Sequence, residues 1–364
     1  MNDLKYQIAL SMIPGIGCLT ARNLLAYFGN GEAVFKASES VLQKVAGIGQ
    51  ILSANIKNAD VLNRAAREIE FANKYSIDIF SINSESYPKK LKQCTDAPLV
   101  LFAKGSISFD TDRMVGIVGT RNSTDKGRRF CNAIVEAMAQ RGNYCVVSGL
   151  AYGIDVTAHR ACLQHNVPTI GVLGHGLDRI YPGEHRSVAE KMLKNGGLVS
   201  DFPSETEVIR GNFIQRNRII AGLTDALVVV ESANKGGSLV TADLANSYDR
   251  DVFAVPGRPE DVFSQGCNRL IKNNQAALID CLEDLEYFMS WQPVDNHVVS
   301  QPKLFTNLSK DEQQIVDTIG TGVLSVDEIC EKTNISIGQL SSVLLELEFK
   351  DAIAALPGRR YKVL

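Results

Sequence analysis

The chain has 364 residues, of which 45% are hydrophobic and 22% charged, and its formal net charge is −3. Such a length holds two or three domains of ordinary soluble composition, and no apolar run reaches the ~18–20 residues of a membrane span. A mild excess of acid argues against a protein that coats nucleic acid over its whole surface, while leaving room for a local basic groove.

The opening MNDLKYQIALSMIPGIG carries an early acid and no small-residue cleavage pattern, so no signal peptide is expected. Residues 1–72 read as short helices containing two similar elements, IPGIGCLTARNLLAYF (13–28) and VAGIGQILSANIKNA (45–59). Each GIG precedes a helical pattern, which is the texture of a helix-hairpin-helix (SAM-like) domain. Amides exposed in such turns can take a backbone phosphate, or the glycines can simply allow a tight turn. Eight cysteines (18, 94, 131, 145, 162, 267, 281 and 330) include no CxxC pair, and five histidines supply no ligand spacing. Free thiols in a reducing cytoplasm are expected, and no metal site.

Residues 75–290 alternate between strand and helix. Short β-rich runs recur at DIFSI (78–82), LVLFAKG (99–105), VGIVG (115–119), YCVVSG (144–149), PTIGVLG (168–174), GLVSDF (197–202), ALVVVE (226–231) and DVFAVPG (251–257). Helical patterns over 125–141, 154–165 and 238–248 separate several of them. Continuous apolar strands joined by helical crossovers predict an α/β domain with an extended, Rossmann-like, mostly parallel sheet covered on both faces. Residues 291–308 lose periodicity and read as a linker. Residues 309–364 give three helices and a hairpin, a winged-helix pattern.

Ligands of open parallel sheets sit beyond the carboxyl ends of the strands, so the loops there are the candidate sites. In GTRNSTDKGRR (119–129), Gly119 permits close approach, Asn122, Ser123 or Thr124 can cap the next helix, and Arg121 adds charge. Exposed amides at that helix start would favour an anion. The loop is neither GxGxxG nor a P-loop, so a nucleotide cofactor lacks its signature. In SGLAYGIDVTAH (148–159), Asp155 and His159 stand at i,i+4, a spacing that suits a general base or, more often, structure. The stretch RGNFIQRNR (210–218) holds three arginines where the chain turns back toward the core, and Lys235 precedes Gly236-Gly237-Ser238 at another helix start. Arg121, Arg216, Arg218 and Lys235 are expected to converge on one sheet edge. Four cations exceed the need of one small phosphate and suit a chain of phosphates. Phe213 could stack a base, although a lone phenylalanine is more often core. Asn217 can bond phosphate, sugar or base, or brace its loop. No nucleophile or metal cluster accompanies them.

GTRNSTDKGRR, SGLAYGIDVTAH, GLDRIYP (176–182), FIQRNRIIAGL (213–223), KGGSLVTA (235–242) and VFAVPGR (252–258), in this order and spacing, resemble the DNA-processing protein A family (DprA, also called Smf). The resemblance spans nearly the whole chain. It implies a protein that binds and protects single-stranded DNA taken up in natural transformation, and loads the RecA recombinase onto it. It implies a homodimer formed through the Rossmann-like domain, with no nucleotide cofactor and no catalytic residue. Carried over, Gly119, Thr120 and Arg121 hold backbone phosphates. Phe213, Arg216, Asn217 and Arg218 line the groove, with Lys235 and Ser238 across from them. After Tyr181-Pro182 the family commonly continues to an asparagine with basic residues nearby. Here the chain reads Gly183-Glu184-His185, which leaves that loop's part in strand binding open.

Two other readings compete. A nucleotide-processing hydrolase of the lysine-decarboxylase-like Rossmann group would use Glu231, or Asp155 with His159. Its Pro-Gly-Gly-x-Gly-Thr signature is absent, KGGS being the nearest approach. A duplex-binding regulator would work through the winged helix. Its presumed recognition helix, SIGQLSSVLLELEFK, carries one lysine and two glutamates and matches a phosphate-lined groove poorly. Only Arg359, Arg360 and Lys362 in the hairpin add charge.

Overall fold

A computed structural model describes residues 2–57, 59–291, 308–320, 322–333, 335–350, 352–356 and 360–363. The chain forms two compact units, Met1–Val294 and Asp295–Leu364. Apart from its two end residues, the segment read as a linker lies outside the described residues, as does Arg359. No described helix is long and apolar enough to cross a membrane.

Among the described residues, the first unit is built on nine strands: β1 (Asp78–Ser81), β2 (Val100–Gly105), β3 (Arg113–Val118), β4 (Tyr144–Ser148), β5 (Thr169–Val172), β6 (Gly196–Ser200), β7 (Ala226–Val229), β8 (Asp251–Ala254) and β9 (Ala277–Leu278). They lie in the order β1-β2-β6-β5-β4-β3-β7-β8-β9. From β6 to β9 every pairing is parallel, while β1 and β2 add an antiparallel edge. Strand β3 is buried along its whole length and is apolar after Arg113, as a strand must be when helices cover both faces. The sheet is Rossmann-like and mostly parallel. The chain steps outward from β3 through β4 and β5 to β6, then returns to lay β7 on the other flank of β3. The reversal opens a crevice beyond the carboxyl ends of β3 and β7.

One face carries the helices Asp125–Arg141, Ile154–His165 and Leu282–Phe288, whose Ile134, Ala161 and Leu285 pack on Ile117 and Val146. On the other face lie the helices Arg210–Leu223 and Gly237–Ser247 and the N-terminal helices. A single hydrophobic cluster runs there from Ile8, Leu24 and Leu42 to Val147, Ile170 and Leu227. In the N-terminal layer, Gly15 and Gly47 adopt φ of +84° and +85°, a left-handed geometry that suits glycine. Two residues later, Gly17 and Gly49 cap the helices Cys18–Phe28 and Gln50–Ile56. Polar ties fasten this layer to the sheet: Arg22 donates to the Cys94 carbonyl (2.9 Å), and Glu68 accepts from the Ser204 amide (2.9 Å).

The basic stretch from Arg210, read from sequence as a loop, is a helix. Every residue from Arg216 to Leu223 is buried. A helix buried on all sides has no apolar stripe, so the periodic signal that exposes surface helices is missing.

The second unit holds helices Lys310–Ile319, Val326–Thr333 and Ile337–Phe349 with the sheet β10 (Val323–Ser325), β12 (Arg360–Val363), β11 (Ile353–Leu356). Ser309 and Glu312 form a capping box at the first helix, and Lys350 pairs with Glu312 at 2.6 Å. Ile315, Ile329, Leu340 and Leu344 fill its core. This is a winged helix. Its third helix, in the recognition position, exposes Ile337, Leu345 and Phe349 rather than cations.

Candidate nucleic-acid interface

The crevice beyond β3 and β7 is a cavity of about 660 Å³. It gathers Gly119, Thr120 and Arg121 from the loop after β3, and Lys235 to Ser238 from the loop after β7. The helix Arg210–Leu223 adds Phe213, Arg216 and Asn217. Of the nine residues expected at the site, the structure therefore brings eight together. Arg218 is the exception.

Arg218 points away from the cavity and is only 6% exposed. Its guanidinium pairs with Asp201, donates to the Asp96 carbonyl and contacts the Cys18 sulfur at 3.1 Å. Two residues along a helix turn the side chain through about 200°. Arg216 and Arg218 therefore cannot both face one groove, and Arg218 serves instead to lock its helix to the N-terminal layer.

Arg216 faces the cavity but is itself 3% exposed. It donates to the carbonyls of Gly149 (2.7 Å) and Val172, while its Nε has no hydrogen-bond partner among the described residues. Asp155 approaches it over Gly149, where a Cβ would collide with both side chains. Burial lowers the Arg216 pKa to about 10, opposed by Asp155 and reinforced by Arg121, so it stays charged at neutral pH. Burial also raises the Asp155 carboxyl above its ordinary value, with Arg216 acting against it.

The other cations are free to meet a ligand. Arg121, Arg210 and Lys235 are exposed on the cavity and make no ion pair among the described residues. Arg210 was visible in the sequence as part of the basic cluster, yet only its place on the first turn of the helix puts it at the site. Asp155 is the one carboxylate among the lining residues. The apolar part of the wall includes exposed Ile214 and Val240. Phe213 is half-buried, with the Arg121 guanidinium 6.0 Å from its ring centre and Tyr181 at 5.9 Å. Asn217 reaches the Gly237 carbonyl at 3.4 Å, and buried Ser238 donates to Ser232 at 3.0 Å.

The helix starts that follow the neighbouring strands β3 and β7 differ. The Asp125 helix was expected to offer its amides to a bound anion. Instead the chain supplies that anion: Glu231 accepts from the Thr124 amide (2.9 Å) and the Thr124 hydroxyl, which in turn accepts from the Gly127 amide (3.2 Å). The carboxylate lies so close to Gly127 that a Cβ there would collide with it. By contrast, the Gly237 helix starts from Gly236 with no side-chain cap, at the cavity wall and beside Lys235. Uncapped amides and the helix dipole favour an anion there.

Neither acid–base arrangement considered from sequence is assembled. Glu231 is engaged by Thr124, as above. His159 is fully buried and bonded through Nδ1 to Thr169 (2.8 Å), its Nε2 having no partner, and burial lowers its pKa to about 3. Asp155 is directed to Arg216 and the Ala151 amide rather than to His159.

The sequence model of DNA recombination-mediator protein A matches residues 78–290, and that of the DprA winged helix domain matches residues 301–359. Protein Smf of Synechocystis is 32% identical, with 99% of each chain covered. Among solved structures, DNA processing protein A of Streptococcus pneumoniae aligns with a TM-score of 0.64 at 29% identity, covering 78% of this chain and 97% of that one. The Helicobacter pylori protein, solved for its single-stranded DNA binding mode, aligns with a TM-score of 0.54 at 28% identity, covering 59% and 96%. By its sequence, its parallel sheet and its winged helix, the chain belongs to the DprA/Smf family of DNA recombination-mediator proteins.

Proposed function

We propose that the cavity beyond β3 and β7 binds single-stranded DNA, and that the protein acts in DNA recombination and natural transformation by protecting the strand and loading RecA onto it. The observation that carries this reading is the trio of unpaired cations Arg121, Arg210 and Lys235 around the uncapped start of the Gly237 helix. Three separated charges and an amide nest match successive phosphates rather than one. The Helicobacter pylori relative's single-stranded DNA binding mode supports the assignment. Gly119, Thr120, Phe213, Arg216, Asn217 and Ser238 complete the site, and no residue is assigned a catalytic role. A homodimer through the Rossmann-like domain is supported by the open edge at β9, where Leu278, Tyr287 and Phe288 are exposed nearby. The protein is placed in the cytoplasm, and no nucleotide cofactor is assigned.

The test is a titration of fluorescent oligo-dT and a matched duplex at two salt concentrations, for wild type, Arg121→Ala and Lys235→Ala. Preference for the single strand is expected, with log K falling by about 0.7 per decade of salt for each phosphate neutralised. Each variant is expected to bind more weakly with a shallower slope. Unchanged binding in both variants would remove the strand from this cavity.

A further inference from the structure

The loop Gly183-Glu184-His185 carries no lysine or arginine of its own; of the two arginines flanking it, Arg179 pairs with Asp178 at 2.7 Å and Arg186 is exposed. What it builds is aromatic. Tyr181 is 50% exposed, and its ring lies 5.9 Å from Phe213 on the cavity wall. Tyr152 is 43% exposed, follows the cavity residue Ala151, and is held in place from the loop. Its hydroxyl donates to Glu184 at 3.0 Å, and its ring meets His185 edge-on at 5.0 Å. His185 is anchored in turn through Nδ1 to the Leu150 carbonyl at 2.8 Å. Tyr152 and Tyr181 are thus two solvent-facing rings beside the cavity, Tyr152 held by Glu184 and His185, and Tyr181 resting against half-buried Phe213.

Phe213 itself is poorly placed to stack a base. The Arg121 guanidinium lies over its ring and Tyr181 flanks it. Tyr181 retains the open surface. Exposed Glu184 and exposed Arg186 offset one another, so what the loop offers beyond charge is the ring itself: a nucleobase has a π-face that any aromatic ring can meet.

We propose that Tyr181, together with Tyr152, forms a base-stacking subsite for nucleotides at the rim of the cavity, and that Phe213 supports the Tyr181 ring. The proposal rests on the single-stranded DNA reading above. It assigns to this loop a contact with bases in place of phosphates, without sequence preference.

The experiment compares oligo-dT with an oligonucleotide of equal length whose sugars are all abasic, so that phosphates remain and bases are removed. Wild type, Tyr181→Ala, Tyr181→Phe and Tyr152→Ala are titrated with each strand at two salt concentrations. Tyr181→Ala is expected to lose about 5- to 150-fold on oligo-dT, the range for one stacked base. It should lose nothing on the abasic strand and keep the wild-type salt slope. Tyr181→Phe should bind as wild type, and Tyr152→Ala should show a smaller loss of the same kind. Equal loss on both strands would make Tyr181 a structural prop, and no loss on oligo-dT would leave no base on its ring; either overturns the proposal. Lys235→Ala, run in parallel, tests the underlying reading separately. If it binds oligo-dT as wild type with an unchanged salt slope, the phosphate track itself is wrong.

Discussion

The helix Asp125–Arg141 starts with its amides already engaged by Thr124 and the Glu231 carboxylate, whereas the helix Gly237–Ser247, following the neighbouring strand, starts from Gly236 with no side-chain cap. Both starts look alike in sequence, each a polar or glycine-rich turn after an apolar strand. The difference lies in a carboxylate 107 residues further along the chain from Thr124. A helix N-terminus attracts an anion only while its dipole and amides lack an internal one. The same contrast recurs on the helix Arg210–Leu223, where Arg216 faces the cavity and Arg218 is tied to Asp201. In each pair, one member maintains the fold and the other stands at the cavity.

Mutations can break or sharpen these contrasts. The largest effect is expected at the buried Arg218–Asp201 pair, because removing one partner strands the other charge. Asp201→Ala should cost about 3–5 kcal/mol in urea denaturation. The salt slope of any remaining DNA binding should match wild type, since Arg218 does not line the cavity. A shallower slope in Arg218→Ala would return that residue to the groove. Next comes the occupied helix start. Glu231→Ala should cost about 2–3 kcal/mol, from the lost charged hydrogen bonds to the Thr124 amide and hydroxyl. Stability unchanged in that variant would mean the Asp125 helix does not depend on its internal anion.

Protonation supplies a comparable effect around Arg216. His159 is held neutral in the fold, with a pKa of about 3, while the unfolded chain titrates near the ordinary 6.5. Its contribution is therefore intact above pH 6.5 and is lost progressively as pH falls from 6.5 toward 3, because protons bind the unfolded state preferentially. Between pH 7 and pH 5 this costs about 2 kcal/mol, and His159→Gln should flatten that part of the stability profile measured by urea midpoints. The smallest change in stability belongs to the open helix start. Lys235→Ala should leave stability within about 0.5 kcal/mol of wild type while making the DNA salt slope shallower by about 0.7.

Much of the fold was legible in the chain. The eight apolar runs all became strands, because a sheet covered on both faces needs continuous β-rich segments, and Ser309 with Glu312 marked a helix start by local chemistry alone. The short β9 and the helix Arg210–Leu223 were not read. The helix is buried on every side beyond Arg216 and offers no amphipathic period. For the site, the glycine-rich turns and basic residues were apparent from their positions after strands. The aromatic character of the Tyr181 loop was not, because it depends on which rings the fold leaves open.

The sequence by itself determined the alternation of strands and helices, the loops that could hold an anion, and the family. These depend on residue types near one another in the chain. Only the tertiary structure decided which charges remain available. Asp201 neutralises Arg218, Glu231 fills one helix start, and Asp155 approaches Arg216, while Arg121, Arg210 and Lys235 remain unpaired at the cavity. Those outcomes depend on side chains far apart in the chain meeting in space, where Coulomb attraction and desolvation act over a few ångströms and take no account of sequence separation.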